Sequence, residues 1–489
     1  MDAIRFLLDG RLMCVENPPR TMTVLEYLRE VAHRTGTKEG CAEGDCGACT
    51  VVLGALDRCS GRIQYRAVNS CIRFLPTIDG HELVTVESLS APDGTAHPVQ
   101  QAMIDQHASQ CGFCTPGFVM SLFALYLQEP APSRDRVMEA LSGNLCRCTG
   151  YRPILDAGVQ MGSYPTPAHW DRETPQSASH CDGLRSIRRE RSLRLPGFFA
   201  PQSVEELAAE LEREPGSLLL AGGTDVGLWV TKQLRDLPPI VYVGAVEELQ
   251  QVRREVTGIE IGAAVSLTDG WRELVNAYPT LAEMAQRFGS PPVRNSGTLC
   301  GNLANGSPIG DALPVLIALD AELILRRGAR ERSLPLEQFY LGYQRTALEP
   351  GEFVYAVKVP APQPAHWVSA YKLSKRFDQD ISALSVALSV RVESGRVAAA
   401  RIAFGGLAAV AARAVATERA LIGSAWNESS IDSAVEKLAE DFKPLTDMRA
   451  SSAYRLQSAG NLLWRFYFEH CEAVEPTRTV DAVAALAPV

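Results

Sequence analysis

Eight of the thirteen cysteines in this 489-residue chain fall into two sets of four, and the sets follow different spacing rules. The first is Cys41, Cys46 and Cys49, completed by Cys71. The second is Cys111 and Cys114, completed by Cys146 and Cys148. Thiolates in fours hold metal. The C-x4-C-x2-C…C run of the first set is the plant-type spacing for a [2Fe–2S] cluster. Gly44 and Gly47 within it permit the tight turns that aim backbone N–H groups at sulfur. Four thiolates also suit zinc, but the four-residue gap, the two glycines and the distant fourth ligand fit [2Fe–2S] better. Glu43 and Asp45 add negative charge to the loop, which favours the oxidised cluster.

Cys146 and Cys148 are two apart and would not share a face of a regular helix. They require a turn, and Gly143-Asn144 before them and Thr149-Gly150 after them supply one. Cys111 and Cys114 lie just before Pro116, at an expected helix start, where free N–H groups stabilise thiolates. On residues alone this set suits either a cluster held between helix ends or a structural zinc site. The remaining cysteines, Cys14, Cys59, Cys181, Cys300 and Cys471, have no partner at ligand spacing and read as small buried or surface residues.

The elements that must position these ligands can be read around them. Residues 4–8 and 11–15 flank Asp9-Gly10, a two-residue hairpin signal. A helix follows, with Thr23 and Glu26 at capping-box spacing and Leu25, Leu28 and Val31 on one face. Strands at 49–54 and 61–68 complete a small β-rich domain over 1–90. Four helical segments over 97–110, 116–128, 133–143 and 151–161 make a helical domain, 91–160, with Pro116 at a helix start and Gly143 at a helix end. Residues 161–194 lose periodicity and read as a linker over the surface. Strands and helices alternate over 195–362, as in an α/β unit. A smaller α+β region, 363–489, has paired strands at 382–392 and 396–406 and two late helices.

The α/β region carries two glycine-rich segments. Leu218 to Asp225 is an apolar strand running into a glycine turn, whose N–H groups can form a nest for a pyrophosphate. Alone, such a turn is commonly only a turn. The second, Gly297 to Pro308 with Asp311 beyond it, offers close backbone approach and polar side chains suited to ribityl hydroxyls. The chain has no G-x-G-x-x-G fingerprint, which argues against a Rossmann dinucleotide site.

Lys and Arg number 48 against 57 Asp and Glu, a net charge of −9, so no nucleic acid or anionic membrane partner is expected. Asp2, Arg5 and Asp9 interrupt any N-terminal signal, and the apolar stretch Ala312 to Leu325 is too short to span a bilayer. Cysteine-rich but without a secretion signal, the chain is expected to be cytoplasmic.

QCGFCTPG and GNLCRCTGYRPI together resemble the iron–sulfur region of the molybdenum hydroxylases. With the flavin-type segments on the same chain, the sequence is similar, from about Arg5 to Trp464, to the small subunit of the bacterial xanthine dehydrogenases. The resemblance implies a multidomain α+β chain. Its parts are a β-grasp ferredoxin domain, a four-helix [2Fe–2S] domain, a two-part α/β FAD-binding domain and a C-terminal α+β flavoprotein domain. It implies that Gln110 contacts the pterin of a molybdenum cofactor in a large partner subunit, in a dimer of heterodimers. Residue by residue, it implies FAD contacts from Leu219, Leu220, Ala221, Gly222, Gly223, Thr224, Asp225 and Val226, and from Thr298, Leu299, Cys300, Gly301 and Asn302. Phe288, Asp311, Val354 and Lys372 match further flavin contacts, although without the resemblance core packing would be the preferred reading of Phe288 and Val354. It implies electron flow from molybdenum through both clusters to FAD and then NAD+, with no catalytic residue on this chain. Gln379 lies where some relatives have an acid, in a loop thought to govern nicotinamide access. An aldehyde or carbon monoxide type of the same enzymes, a stand-alone flavin reductase and a zinc-bearing interaction protein are the competing readings.

Overall fold

The computed structural model describes residues 2–57, 60–170 and 175–471; Cys59 lies outside them. They divide into two units, the first comprising 1–251, 264–268 and 289–298 and the second the rest.

In the first unit, β1 (Ala3–Leu8) and β2 (Arg11–Glu16) are joined at Asp9 and Gly10, with φ of 51° and 77°. Positive φ at both positions is the type I′ geometry that matches strand twist, and it is why Asp-Gly marks such turns. A second hairpin joins β3 (Thr50–Leu56) to β4 (Ile63–Asn69). Between the hairpins lies β5 (Glu82–Val84), parallel to β1 and antiparallel to β3, giving the order β2-β1-β5-β3-β4. At three residues, β5 is too short to show periodicity in the sequence. The helix packed on this β-grasp sheet starts at a full Thr23–Glu26 capping box. It then widens into a π-turn over Tyr27–Val31, which rotates Tyr27 and Leu28 inward and leaves Val31 exposed, not on the buried face expected for it.

The helical domain has the four expected helices, Pro98–Asp105, Thr115–Tyr126, Arg134–Leu141 and Arg152–Gln160. His97 and Ser133 cap the first and third. Thr115–Tyr126 is buried on every side from Gly117 onward, as expected of a uniformly apolar central helix. Its side chains, with Val99, Val137 and Ile154, form the core of this layer.

The stretch read as a surface linker contains a helix, Pro175–Ile187. Leu184 and Ile187, three apart, bury against Leu7 of β1, and Arg189 holds Asp79 (Nη2 to Oδ1, 3.0 Å). Two apolar residues per helix are too few for periodicity to reveal, so this docking was invisible in the sequence. His180 Nδ1 lies 2.6 Å from Oε1 of Glu82, which is fully buried in β5. That hydrogen bond raises the His180 pKa above its usual value. The stabilisation is therefore complete below about pH 6.5 and fades as pH rises through the raised value. His180→Phe is expected to lower the thermal midpoint more at about pH 6 than at about pH 9.

The first unit continues with β6 (Leu193–Leu195), β7 (Phe198–Ala200), β8 (Leu218–Leu220) and β9 (Ile240–Tyr242), in the order β6-β7-β9-β8 with β7, β9 and β8 parallel.

In the second unit, β10 (Val252–Glu255), β11 (Gly258–Gly262), β12 (Glu322–Arg327) and β13 (Arg330–Pro335) precede a small hairpin of β14 (Tyr340–Gly342) and β15 (Arg345–Thr346). β16 (Phe353–Pro360) then inserts centrally, giving β10-β11-β16-β12-β13, antiparallel throughout. The α/β stretch thus builds two separate sheets, one partly parallel and one antiparallel. A further antiparallel sheet of β17 (His366–Leu373), β18 (Leu384–Glu393), β19 (Arg396–Gly405) and β20 (Ala412–Arg413) follows. Three late helices pack on it, Val415–Leu421, Glu428–Asp441 and Ser452–Glu469, one more than expected. Among the described residues no helix is long and apolar enough to cross a membrane.

Candidate functional site

The first cysteine set closes on itself from two directions. Cys41 and Cys46 lie on the irregular loop before β3, Cys49 at the mouth of β3 and Cys71 just past β4. Cys49 and Cys71 Sγ atoms are 3.3 Å apart and buried with Leu25 and Ile72. Cys41 pairs with Cys46 through their side chains. Cys41 Sγ accepts from the backbone N–H groups of Glu43 and Cys46, both at 3.4 Å, and the Asn69 amide points at Cys49 Sγ at 3.9 Å. The Cys41 thiol is held far below its usual range by the Cys46 and Cys71 side chains and these amides, whereas Cys46 and Cys71 are pushed up because they keep the shared protons. N–H groups aimed at sulfur are what a thiolate ligand needs. Gly44 and Gly47 both have positive φ, 77° and 71°. A β-carbon on Gly47 would also lie 2.2 Å from the Gly143 carbonyl oxygen.

The second set sits at helix ends, as the spacing required. Cys114 is the residue before Thr115–Tyr126, and Cys146 and Cys148 lie in the turn between Leu141 and Arg152, where Gly150 and Tyr151 both have φ of 68°. The side chains pair Cys114 with Cys146 and Cys111 with Cys148. Burial and then the proton shared with Cys146 push Cys114 up to about 12. Burial would raise Cys146 too, but the Thr149 hydroxyl, 3.1 Å from its sulfur, and the Thr149 amide hold it below the usual range. Phe113, Leu145 and Tyr151 join the four cysteines and Arg147 in lining a cavity of about 390 Å³. Gln110, beside exposed Cys111, is itself exposed. In the second set the sulfurs meet in twos, and in the first Cys71 also reaches Cys41, so that all four sulfurs converge as four thiolates on a [2Fe–2S] cluster would.

The two sets are joined by backbone. The Leu145 N–H donates to the Cys46 carbonyl at 3.0 Å, so a cysteine of one set is one hydrogen bond from the neighbour of a cysteine in the other. Asn144 reinforces this, donating to the Gly47 carbonyl at 3.2 Å while its Oδ1 accepts from Ser121. Thr149 and Asn144 read only as turn residues in the sequence, and Asn69 carried no signal at all.

The flavin segments fall in both units. In the first unit, Leu219 and Leu220 end β8, Ala221 to Thr224 form the turn with Gly223 at φ 76°, exposed Asp225 directly precedes the helix Val226–Thr231, and Thr298 is buried. A β-carbon on Gly222 would sit 2.0 Å from the Ser296 carbonyl oxygen, so this turn lies directly on the segment leading to Thr298. Gly222→Ala is therefore expected to cost about 1–3 kcal/mol and to release flavin, read as loss of yellow colour on gel filtration.

In the second unit, Leu299, Cys300, Gly301 and Asn302 open the helix Leu299–Asn305. Leu299 and Cys300 are buried, and burial pushes the Cys300 thiol up to about 12. Asn302 Oδ1 is buried without a hydrogen-bond partner, an orphan of the kind a bound polar ligand satisfies. Asp311 and Lys372 pair at 2.8 Å, both buried, with the Ser382 hydroxyl on Asp311 at 2.6 Å. Phe288 is buried against Trp271, ring centroids 5.5 Å apart, and Val354 is buried in β16 opposite Leu325. The Gln379 Oε1, in the loop after β17, is also buried and unpartnered, and its backbone has φ of 52°.

Paired cysteine thiols fed by amide donors, followed by a glycine turn and orphaned polar atoms, define an iron–sulfur flavoprotein. Four family models match the chain in order. They are a 2Fe-2S iron-sulfur cluster binding domain over 6–72, a [2Fe-2S] binding domain over 85–159, an FAD binding domain in molybdopterin dehydrogenase over 191–362, and a CO dehydrogenase flavoprotein C-terminal domain over 369–470. The chain belongs to the molybdenum hydroxylases, as their iron–sulfur and FAD part. Within that family it is similar to the xanthine dehydrogenase of Emericella nidulans, 32% identical over 97% of this chain and 39% of the relative, and to xanthine dehydrogenase 2 of Arabidopsis thaliana, 32% over 90% and 38%. The chain thus spans about two-fifths of the length of these curated relatives. Among solved structures it is similar to a carbon monoxide dehydrogenase from Hydrogenophaga pseudoflava lacking the Mo-pyranopterin moiety, 31% identical with a TM-score of 0.52 over 55% of this chain and 94% of that one. Quinoline 2-oxidoreductase from Pseudomonas putida 86 is 26% identical, with a TM-score of 0.51 over 58% and 100%.

Proposed function

We propose that this chain is the electron-transfer and NAD-reducing subunit of a xanthine dehydrogenase, working with a large molybdopterin-binding subunit that oxidises hypoxanthine and xanthine to urate. When bound, [2Fe–2S] clusters carry single electrons, and FAD gathers two and passes them on as a hydride. The residues of this chain fix order and distance. Cys111 and Cys148, the exposed pair, face outward toward the partner, with Gln110 beside them. The Cys46–Leu145 hydrogen bond holds the two cysteine sets together, and it is the observation that carries the proposal. Leu219 to Val226, Phe288, Thr298 to Asn302, Asp311, Val354 and Lys372 are proposed to hold FAD. The likeness to xanthine dehydrogenases over nearly the whole chain favours a purine substrate, whereas the solved carbon monoxide dehydrogenase covers little more than half of it. A cytoplasmic dimer of heterodimers belongs to the same proposal.

The purified chain is expected to be brown, to contain FAD and both clusters, and to oxidise NADH with an artificial dye without its partner. Full iron without flavin, or a flavin that NADH does not reduce, would overturn it. Xanthine-dependent NAD+ reduction is expected only from the co-purified complex.

A further inference from the structure

The short helix Val226–Thr231 leaves the glycine turn and touches the Cys41 loop and Cys71 along its whole length. At its start, a β-carbon on Gly227 would lie 2.5 Å from the carbonyl oxygen of Ile72, the residue after Cys71. Midway, Leu228 packs on Leu25, Cys49, Cys71 and Ile72. At its end, the Thr231 hydroxyl donates to the Ala42 carbonyl at 2.7 Å, and Lys232 Nζ donates to the Cys41 carbonyl at 3.1 Å. Lys232 Nζ also lies 3.4 Å from Glu43 Oε2. Ala42 itself holds φ of 55°, unusual for a residue with a β-carbon, so the loop is held in place rather than resting there.

We infer that Lys232 sets the reduction potential of the cluster held by Cys41, Cys46, Cys49 and Cys71, and that Thr231 is a positioning residue locking this loop to the flavin turn. The inference rests on the proposed reading of both sites. Reducing a cluster adds one negative charge beside Cys41, and an ammonium group hydrogen-bonded to the Cys41 carbonyl stabilises that charge. Glu43, on the same loop, opposes it. Both side chains are partly exposed, 44% for Lys232 and 39% for Glu43, so solvent screens each effect without abolishing it.

The test is a potentiometric titration of the full chain, with each cluster followed by its own electron paramagnetic resonance signal. Lys232→Met is expected to shift the reduced-to-oxidised ratio of the Cys41 cluster about three- to tenfold toward oxidised at fixed potential, tenfold being about 59 mV for one electron. The Cys111 cluster should not move, and Lys232→Arg should restore the wild-type value. Glu43→Gln is expected to shift the same cluster the opposite way, so a poorly folding lysine variant does not close the question. Both clusters present with the Cys41 potential unmoved in Lys232→Met and Glu43→Gln would overturn the inference alone. A wild-type chain with iron in one set only would overturn the underlying reading of the sites, and the inference with it.

Discussion

Replacing Cys71 with serine will remove about half of the chain's iron and unfold the loop that carries Cys41 and Cys46, whereas Cys148→Ser will remove a similar share and leave the fold standing. The difference follows from burial. Cys71 is 2% exposed and shares its apolar pocket with Cys49, Leu25, Ile72 and Leu228, so a serine there puts a smaller, more polar group among apolar walls. That burial costs about 1–3 kcal/mol. Residues 34–48 form no helix or strand, so once ligation is lost they keep only scattered hydrogen bonds, such as Lys38–Ala48, Leu145–Cys46 and Thr231–Ala42, in place of a regular element. Cys148 is exposed, and its turn is pinned independently by Thr149 and the Tyr151 hydroxyl. Iron analysis with thermal unfolding separates the two variants. Equal midpoints for Cys71→Ser and Cys148→Ser would show that burial does not distinguish the sets. Electron flow from the proposed molybdenum subunit should stop in both, while NADH-to-dye transfer should survive in Cys148→Ser.

The two cysteine sets were legible because their spacing is written locally in the chain, and so was the Asp9-Gly10 hairpin, where two positive φ angles demand particular residues. What positions those cysteines was not. The Leu145–Cys46 hydrogen bond is between backbone atoms far apart in sequence, and backbone carries no residue signature. β5 was too short for an alternating pattern, and its Glu82 is buried only because Tyr65 and His180 reach it from other elements. Val31 failed for a different reason. A π-turn changes the helical period, and no residue type marks the change. The flavin segments were legible only through resemblance. A strand followed by two glycines describes many turns, and the close packing of Gly222 on Ser296 joins segments too far apart in sequence to leave a local pattern.

The buried pair of Asp311 and Lys372 separates what holds the second unit together from what holds flavin. Lys372 Nζ reaches both Asp311 and the Arg287 carbonyl, at 2.8 and 3.1 Å, and Ser382 donates to the other carboxylate oxygen. The two side chains are only 3% and 7% exposed. Removing one partner strands a charge out of water, so Asp311→Ala or Lys372→Met should each destabilise by about 3–5 kcal/mol. Replacing both, as Asp311→Leu with Lys372→Met, removes the stranded charge and should recover most of that loss, because an apolar pair of similar size is commonly neutral. Flavin should follow a different rule. If Asp311 and Lys372 only brace the fold, FAD content returns with stability in the double variant. If they also contact the ribityl chain, as the orphaned Asn302 Oδ1 on the neighbouring helix suggests a polar ligand does, FAD stays low in a chain that melts normally. We expect the second outcome, measured as flavin per chain alongside the unfolding midpoint. A double variant with full flavin would remove both residues from the cofactor site and leave them as structure.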